Sequence, residues 1–366
     1  MLKNNIKTNI IDEISNNKLS ILCNASLMDK INSSNIRAVL VSDINSRSHK
    51  PLIYNGDIRS VSLNQLSEFE AVAVNVKDYT KQELVSFSSM IESVNASLIY
   101  LVSSVVDIVK IRSLKPQVVV INQQSHQNPV ALKLNIDWNC SCLLNPLKNN
   151  IQLEYIIEYG FAGIYADRYI NEQMVLSDDN IALSCYLDKL YMKKSSIRPL
   201  LKTSGIKDIL EVELCAETGI DMLGFLFDNE NKSNIIDMLK FCKENNKVVC
   251  LEVFDNTMLN DALSIIEQGY ADCIENHTRI DDYTANSYNV FSAFNNVVNG
   301  VTPVLTESVS VIENNNITTP WLSFTESEDM MRIIKQYNVE LIEFKITEYN
   351  TKDKIKELIK KIKYKQ

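Results

Sequence analysis

The segment Pro199–Phe227, PLLKTSGIKDILEVELCAETGIDMLGFLF, reads as strand, turn, helix and strand. Leu200 and Leu201 open a short apolar run, and Ser204-Gly205 marks a turn. Ile209, Val212, Cys215 and Ala216 recur at helical spacing, and Gly219 falls where a helix should stop. Met222–Phe227 is apolar throughout and short enough for a strand buried on both faces. A lone βαβ unit cannot bury its own sheet, so the segment requires parallel strands elsewhere.

Outward from this unit the same pattern repeats. Upstream, apolar runs fall at Leu19–Cys23, Ala38–Val41, Leu52–Tyr54, Ala71–Val76, Ser97–Val102, Val118–Ile121, Cys140–Leu144 and Ala162–Ala166, with helix-length stretches such as Thr80–Val94 and Ile151–Tyr159 between most of them. The links from the first run to the second and from the second to the third are too short for a full crossover helix. Downstream, runs fall at Pro199–Thr203, Met222–Phe227, Val248–Phe254, Ala271–Ile274, Val290–Ala293, Asn296–Val298, Trp321–Phe324 and Glu340–Phe344. A final helix, Lys352–Ile362, carries its lysines toward the C-terminal end, as the helix dipole favours. The pattern predicts an α/β chain of two tandem (β/α)8 TIM-barrel-like domains, 1–188 and 199–366, with 189–198 as a connecting helix or linker. At about 170 residues each, both are short for a fold nearer ~250.

A net charge of −9 argues against a nucleic-acid partner. No apolar run reaches membrane-spanning length and the N-terminus lacks a signal-peptide core, so a cytoplasmic location is expected and no membrane association. The eight cysteines and three histidines form no zinc spacing, so reduced core cysteines and neither metal nor cofactor are expected. Glycine is scarce, 8 in 366, which leaves little for backbone cradles that grip phosphate, and asparagine is abundant.

Two families are suggested by these residues. Lys202–Phe227 resembles the opening of phosphoribosylanthranilate isomerase, with its Lys-x-Cys-Gly strand end, Gly-Ile-Asp turn and Gly-Phe-x-Phe strand. Leu251–Asn256 (LEVFDN), Asp261–Ile274 and Val339–Phe344 resemble later parts of the same barrel. Upstream, KPLIYNGDIRSVSLNQLSEFEAVAV and SLKPQVVVINQQS resemble indole-3-glycerol-phosphate synthase. Synthase followed by isomerase is the order of the bifunctional tryptophan-biosynthesis family. The resemblance implies sugar isomerisation, then decarboxylating ring closure, on a phosphorylated small molecule.

Position by position, most of that chemistry is replaced. In the first half, strand ends read Leu22-Cys23-Asn24, Asn55-Gly56-Asp57, Leu101, Gln124, Asn145-Pro146-Leu147 and Asp167-Arg168 where the synthase pattern needs lysines, glutamates, arginine and a phosphate-binding Gly-Ser; Asn122 matches. In the second half, the positional equivalents of the catalytic cysteine and aspartate are Ser204 and Asn299, with Lys202 and Gly205 kept at the strand end. Ser204 and Asn299 are therefore the catalytic candidates, and Asn122, Lys202 and Gly205 the substrate-binding ones. Lys202 is expected to pair with a carboxylate such as Glu343. Asp57, Asp167, Asp255, Glu275 and Glu343 are oxygen donors divided between two barrels, and His277 follows a strand. The chain reads as a catalytically degenerate member of the family, a pseudoenzyme with a binding or scaffold role and a protein partner. Two alternatives stay open: a working synthase and isomerase whose motifs lie at other positions, and a new activity at a rebuilt acidic barrel mouth.

Overall fold

Strands buried on both faces need helices outside and side chains within, and a closed parallel barrel meets both needs. The computed structural model describes residues 10–15, 20–26, 36–125, 127–136, 138–146, 153–167, 199–230, 232, 234–278, 282–293, 304–306, 321–323, 333–334 and 339–364. Two closed parallel barrels of eight strands result, each with its strands in sequence order around the ring. The first comprises β1 (Ser20–Asn24), β2 (Ile36–Val41), β3 (Leu52–Tyr54), β4 (Ala71–Asn75), β5 (Ser97–Val102), β6 (Val118–Asn122), β7 (Ser141–Asn145) and β8 (Gly163–Ala166). The second comprises β9 (Leu200–Ile206), β10 (Met222–Leu226), β11 (Val248–Val253), β12 (Cys273–Asn276), β13 (Val290–Ala293), β14 (Val304–Thr306), β15 (Trp321–Ser323) and β16 (Leu341–Lys345). Pairing of β1 with β8 closes one ring, and pairing of β16 with β9 closes the other.

The two-barrel architecture expected from the periodicity is present. One strand lies elsewhere: Asn296–Val298 falls outside the described residues, and the fourteenth strand is Val304–Thr306. Three residues directly after Pro303 show no periodicity, and the proline itself reads as a strand breaker. The stretch 189–198 also lies outside the described residues. The chain divides into two compact units, Met1–Ser125 with Trp138–Ile197, and His126–Asp137 with Arg198–Gln366. Within the second unit, the Asn128 backbone N–H donates to Asp272 at 2.9 Å, and the Asn135 amide donates to Asn289 at 2.8 Å.

Local signals place the helices. Thr80 and Glu83 form a capping box at the start of Lys81–Glu92. Asp208 caps Ile209–Ala216 through the Glu211 N–H, and Gly219 turns the chain after it at φ +82°. Leu22, Leu40, Ile53, Ala73, Leu101, Val120, Leu143 and Tyr165 meet in one cluster of the first barrel, with Ile10 and Ile14 of the N-terminal helix packed into it. In the second barrel, Leu201, Leu223, Leu251, Ile274 and Ile342 pack against helix residues such as Val212, Leu239 and Leu358. Their strand neighbours therefore face the barrel axis.

Ring closure of the first barrel depends on Gly163, where an added Cβ would stand 1.9 Å from the Ser20 carbonyl oxygen. Gly163→Ala must part β1 from β8, so its urea-unfolding midpoint should fall by the equivalent of about 2–3 kcal/mol. A midpoint equal to that of the parent would contradict this packing.

Candidate functional site

Four strands of the second barrel carry a charge inside an otherwise apolar run: LLKT in β9, CLEV in β11, CIEN in β12 and LIEF in β16. Because Leu201, Leu251, Ile274 and Ile342 take the helix side, alternation turns Lys202, Glu252, Glu275 and Glu343 inward. Register brings them level: Lys202 lies beside Glu343, and Glu252 beside Glu275. The Lys202 ammonium meets all three carboxylates, at 2.8 Å from Glu252, 2.6 Å from Glu275 and in close contact with Glu343. Lys202 is 1% exposed, and none of the three glutamates exceeds 5%, so water screens this cluster little.

Backbone shape completes the arrangement. Pairing of β10 with β9 slips at Ser204-Gly205, where Gly205 takes φ +80° and forms a bulge. That bulge turns the Gly205 N–H onto Glu252 Oε2 at 2.9 Å. A Cβ on Gly205 would meet nothing within 4 Å, so the bulge borders open space. Gly224 has the opposite role: a Cβ there would stand 2.1 Å from Glu252 Oε1, and only glycine leaves room for the carboxylate. Toward the strand ends, His277 Nε2 lies 2.8 Å from Glu275 Oε1, and its ring stacks on Phe254 at 3.8 Å. His277 is partly exposed, and more than half of Phe254 is open to solvent.

One ammonium cannot neutralise three carboxylates. The carboxylate oxygens lie within 4.8 Å of one another, and two unit charges at that distance repel by roughly 3 kcal/mol at an effective dielectric of about 20. The protons distribute accordingly. Burial pushes Glu343 up to about 8, only partly opposed by Lys202. Burial also raises Glu252. For Glu275, burial acts upward as well, but Lys202 and His277 outweigh it and hold the carboxyl at about 2. Burial would lower Lys202, yet the three carboxylates raise it well above the ordinary lysine value. At neutral pH the cluster thus holds a charged lysine, an ionised Glu275 and a protonated Glu343. Close polar contacts link them in line: Glu343, Lys202, Glu275, then His277 near the surface. The three carboxylates are grouped as for a cation, and the cation they enclose is the lysine's own.

The structure brings together Lys202, Gly205, Glu275, Glu343 and His277 of the sequence candidates. Lys202 meets Glu343 as expected. Ser204 is half-buried on the bulge, level with Lys345, and its carbonyl accepts from the Ile346 N–H at 3.1 Å. Asn299 lies outside the described residues. Asn122 belongs to the first barrel, where it bonds Asn75, Ser103 and Asn145. Asp57 and Asp255 do not join a site: each caps a 3-10 turn, accepting from the N–H of Arg59 and Thr257 respectively. Sequence reasoning missed Glu252. Its signal was available, since a glutamate within VVCLEV repeats the placement of Glu275 and Glu343.

No protein-family model matches this chain, and no curated protein matches it. Among solved structures, orotidine 5'-monophosphate decarboxylase from Sulfolobus solfataricus aligns with 10% identity over 49% of this chain and 99% of its own, at a TM-score of 0.37. The citrate synthase SbnG aligns at 12% identity over 74% of this chain and 91% of its own, with a TM-score of 0.19. An HpcH/HpaI aldolase from Desulfitobacterium hafniense DCB-2 aligns at 10% identity over 72% and 88%, also at 0.19. The barrel fold rests on the strand pairing of this chain itself.

The proton distribution has a signature in stability. Glu343 keeps its proton to about 8 when folded, against an ordinary 4.5. Between those values the folded state binds more protons, so stability falls as pH rises. Glu275, at about 2 against 4.5, acts oppositely, and stability rises with pH across that lower window. Glu343→Gln should flatten the upper slope and leave the lower one, as read by urea midpoints across both windows.

Proposed function

We propose that the second barrel is a proton-transfer enzyme acting on a small α-hydroxycarbonyl compound at its C-terminal mouth. The observation that carries this reading is the surplus of buried carboxylate around Lys202. A structural ion pair needs one partner; two further carboxylates cost desolvation and repulsion without adding stability. Such an excess is kept where pKa values must be set apart, one group charged and one protonated at the same pH. His277, oriented by Glu275, is the group that meets substrate and exchanges its proton. Glu343 holds the reserve proton, and Lys202 connects the two. Lys345, exposed at the end of β16 and level with Ser204, supplies positive charge at the rim for a phosphate.

Isomerisation of phosphoribosylanthranilate, the reaction implied by the sequence resemblance, belongs to this class, since it moves a proton between neighbouring carbons of an opened sugar. In this reading the acid and base are Glu343 and the Glu275–His277 pair, and Ser204 and Asn299, poor acids and bases near neutral pH, take no part in the proton transfer. The second reading, an inert scaffold descended from such an enzyme, is favoured by the near-complete enclosure of Lys202.

Deuterium wash-in decides between them. In D2O, the protein should catalyse exchange at the carbon next to the carbonyl of ketose and aldose phosphates, followed by NMR, and phosphoribosylanthranilate is assayed in parallel. Glu275→Gln and His277→Gln should each slow exchange by about 10²–10⁴-fold. A folded parent protein that exchanges none of these substrates supports the inert scaffold and overturns the enzymatic reading.

A further inference from the structure

The first barrel ends its strands differently. Asn24, Asn75, Asn122 and Asn145 are the last residues of β1, β4, β6 and β7, Asn55 directly follows β3, and Asp167 directly follows β8. All six are half-buried, and they bond across the mouth rather than along the strands. Asn55 and Asn24 both donate to Asp167 Oδ1, at 3.2 and 3.4 Å, although β3 and β8 are not neighbours. Asn122 donates to Asn75 Oδ1 at 3.3 Å, reaching past β5, and accepts from Asn145 at 2.8 Å. The opening is therefore ringed by amides with one carboxylate.

From this ring we infer that the first barrel binds an uncharged polyol or monosaccharide at its C-terminal mouth. An amide offers a donor and an acceptor side by side, the complement of a hydroxyl group, which both donates and accepts. The ring is not saturated by its own bonds. Asn55 Oδ1, Asn75 Nδ2 and Asn145 Oδ1 make no hydrogen bond among the described residues. Beneath Asp167 on the same strand, the Tyr165 hydroxyl is fully buried and has no hydrogen-bond partner among the described residues. An unmet buried hydroxyl is costly in a finished core and is explained by a ligand that completes it. Charge selects the ligand class. None of the six residues is cationic, and the one ionisable group is a carboxylate, so a phosphate is disfavoured. The amide N–H groups already turn toward that carboxylate, which disfavours a metal ion.

The test is saturation-transfer NMR with D-ribose, D-glucose and myo-inositol, against ribose 5-phosphate, inorganic phosphate and calcium. A direct contact readout is needed because sugars raise the melting point of any protein through exclusion from its surface. At least one neutral sugar should bind, and ribose 5-phosphate should bind more weakly than ribose. Asn122→Leu removes the hub of the network. Asn75→Ala loses only one internal bond, so it keeps the fold, as circular dichroism would verify, and should weaken binding by about tenfold. Three results would each overturn the assignment: no neutral sugar bound by the folded parent, preference for the phosphorylated sugar or calcium, or equal sugar binding by both variants.

Discussion

An ammonium group enclosed in the middle of a barrel is the constraint on which the second half of this protein depends. The acidic groups around Lys202 hold it in its charged form, and the surrounding strands keep it from water. Removing the lysine from such a cluster leaves its carboxylates unpaired in a poorly solvated place, at a cost of about 3–5 kcal/mol. The surrounding sequence answers to that demand. Gly224 is vacant so that Glu252 can approach, and β9 bulges at Gly205 so that one more N–H reaches the same carboxylate. Both features serve Glu252, so the shape of these strands follows from the approach of that carboxylate to the lysine.

The two barrels share a frame and differ at the mouth. In the second, ionisable groups are buried in contact, and burial set against the charges of Lys202 and His277 separates a carboxyl that keeps its proton from one that does not. In the first, the corresponding strand ends carry amides, which neither gain nor lose protons near neutral pH. A mouth of amides recognises shape and hydroxyl pattern, while a mouth of coupled acids moves protons. On the readings proposed above, one fold with two strand-end chemistries serves binding in one half and acid–base work in the other, because in this architecture function resides in the ends of the strands.

Much of the frame was legible in the chain. Buried parallel strands appear as apolar runs, and Leu52–Tyr54 and Ser97–Val102 lie where those runs place them. The fourteenth strand was not legible, since three residues behind a proline lack the length to show a period. The site was harder to read for a different reason. Comparing strand ends with a known catalytic pattern asks which acids are missing, and that question leads to Ser204 and Asn299. Asking instead which charges interrupt apolar strands leads to Lys202, Glu252, Glu275 and Glu343 together. Alternation then places all four on the axis without any family as guide. In the first half, the recurrence of asparagine at strand ends was visible residue by residue, but its meaning depends on pairing across the ring, which no local pattern reveals.

Scarce glycine connects these observations. Of the eight glycines in the chain, Gly160, Gly219 and Gly269 follow helix ends at positive φ, and Gly205 forms the bulge. Gly56, Gly163 and Gly224 stand where a Cβ would press on Tyr54, Ser20 and Glu252. Every glycine among the described residues is thus committed to the frame, and none is left for a loop that wraps backbone N–H groups around a phosphate. Recognition then falls to side chains. Asparagine is the side chain closest to a peptide group, with the same donor and acceptor on a short stem. A barrel mouth that cannot present its backbone can present asparagines in its place, and an amide fixed by its neighbours is a weaker match for an anion than a helix N-terminus but a better one for a hydroxyl. The composition of the chain and the chemistry of its first mouth are therefore two aspects of one constraint.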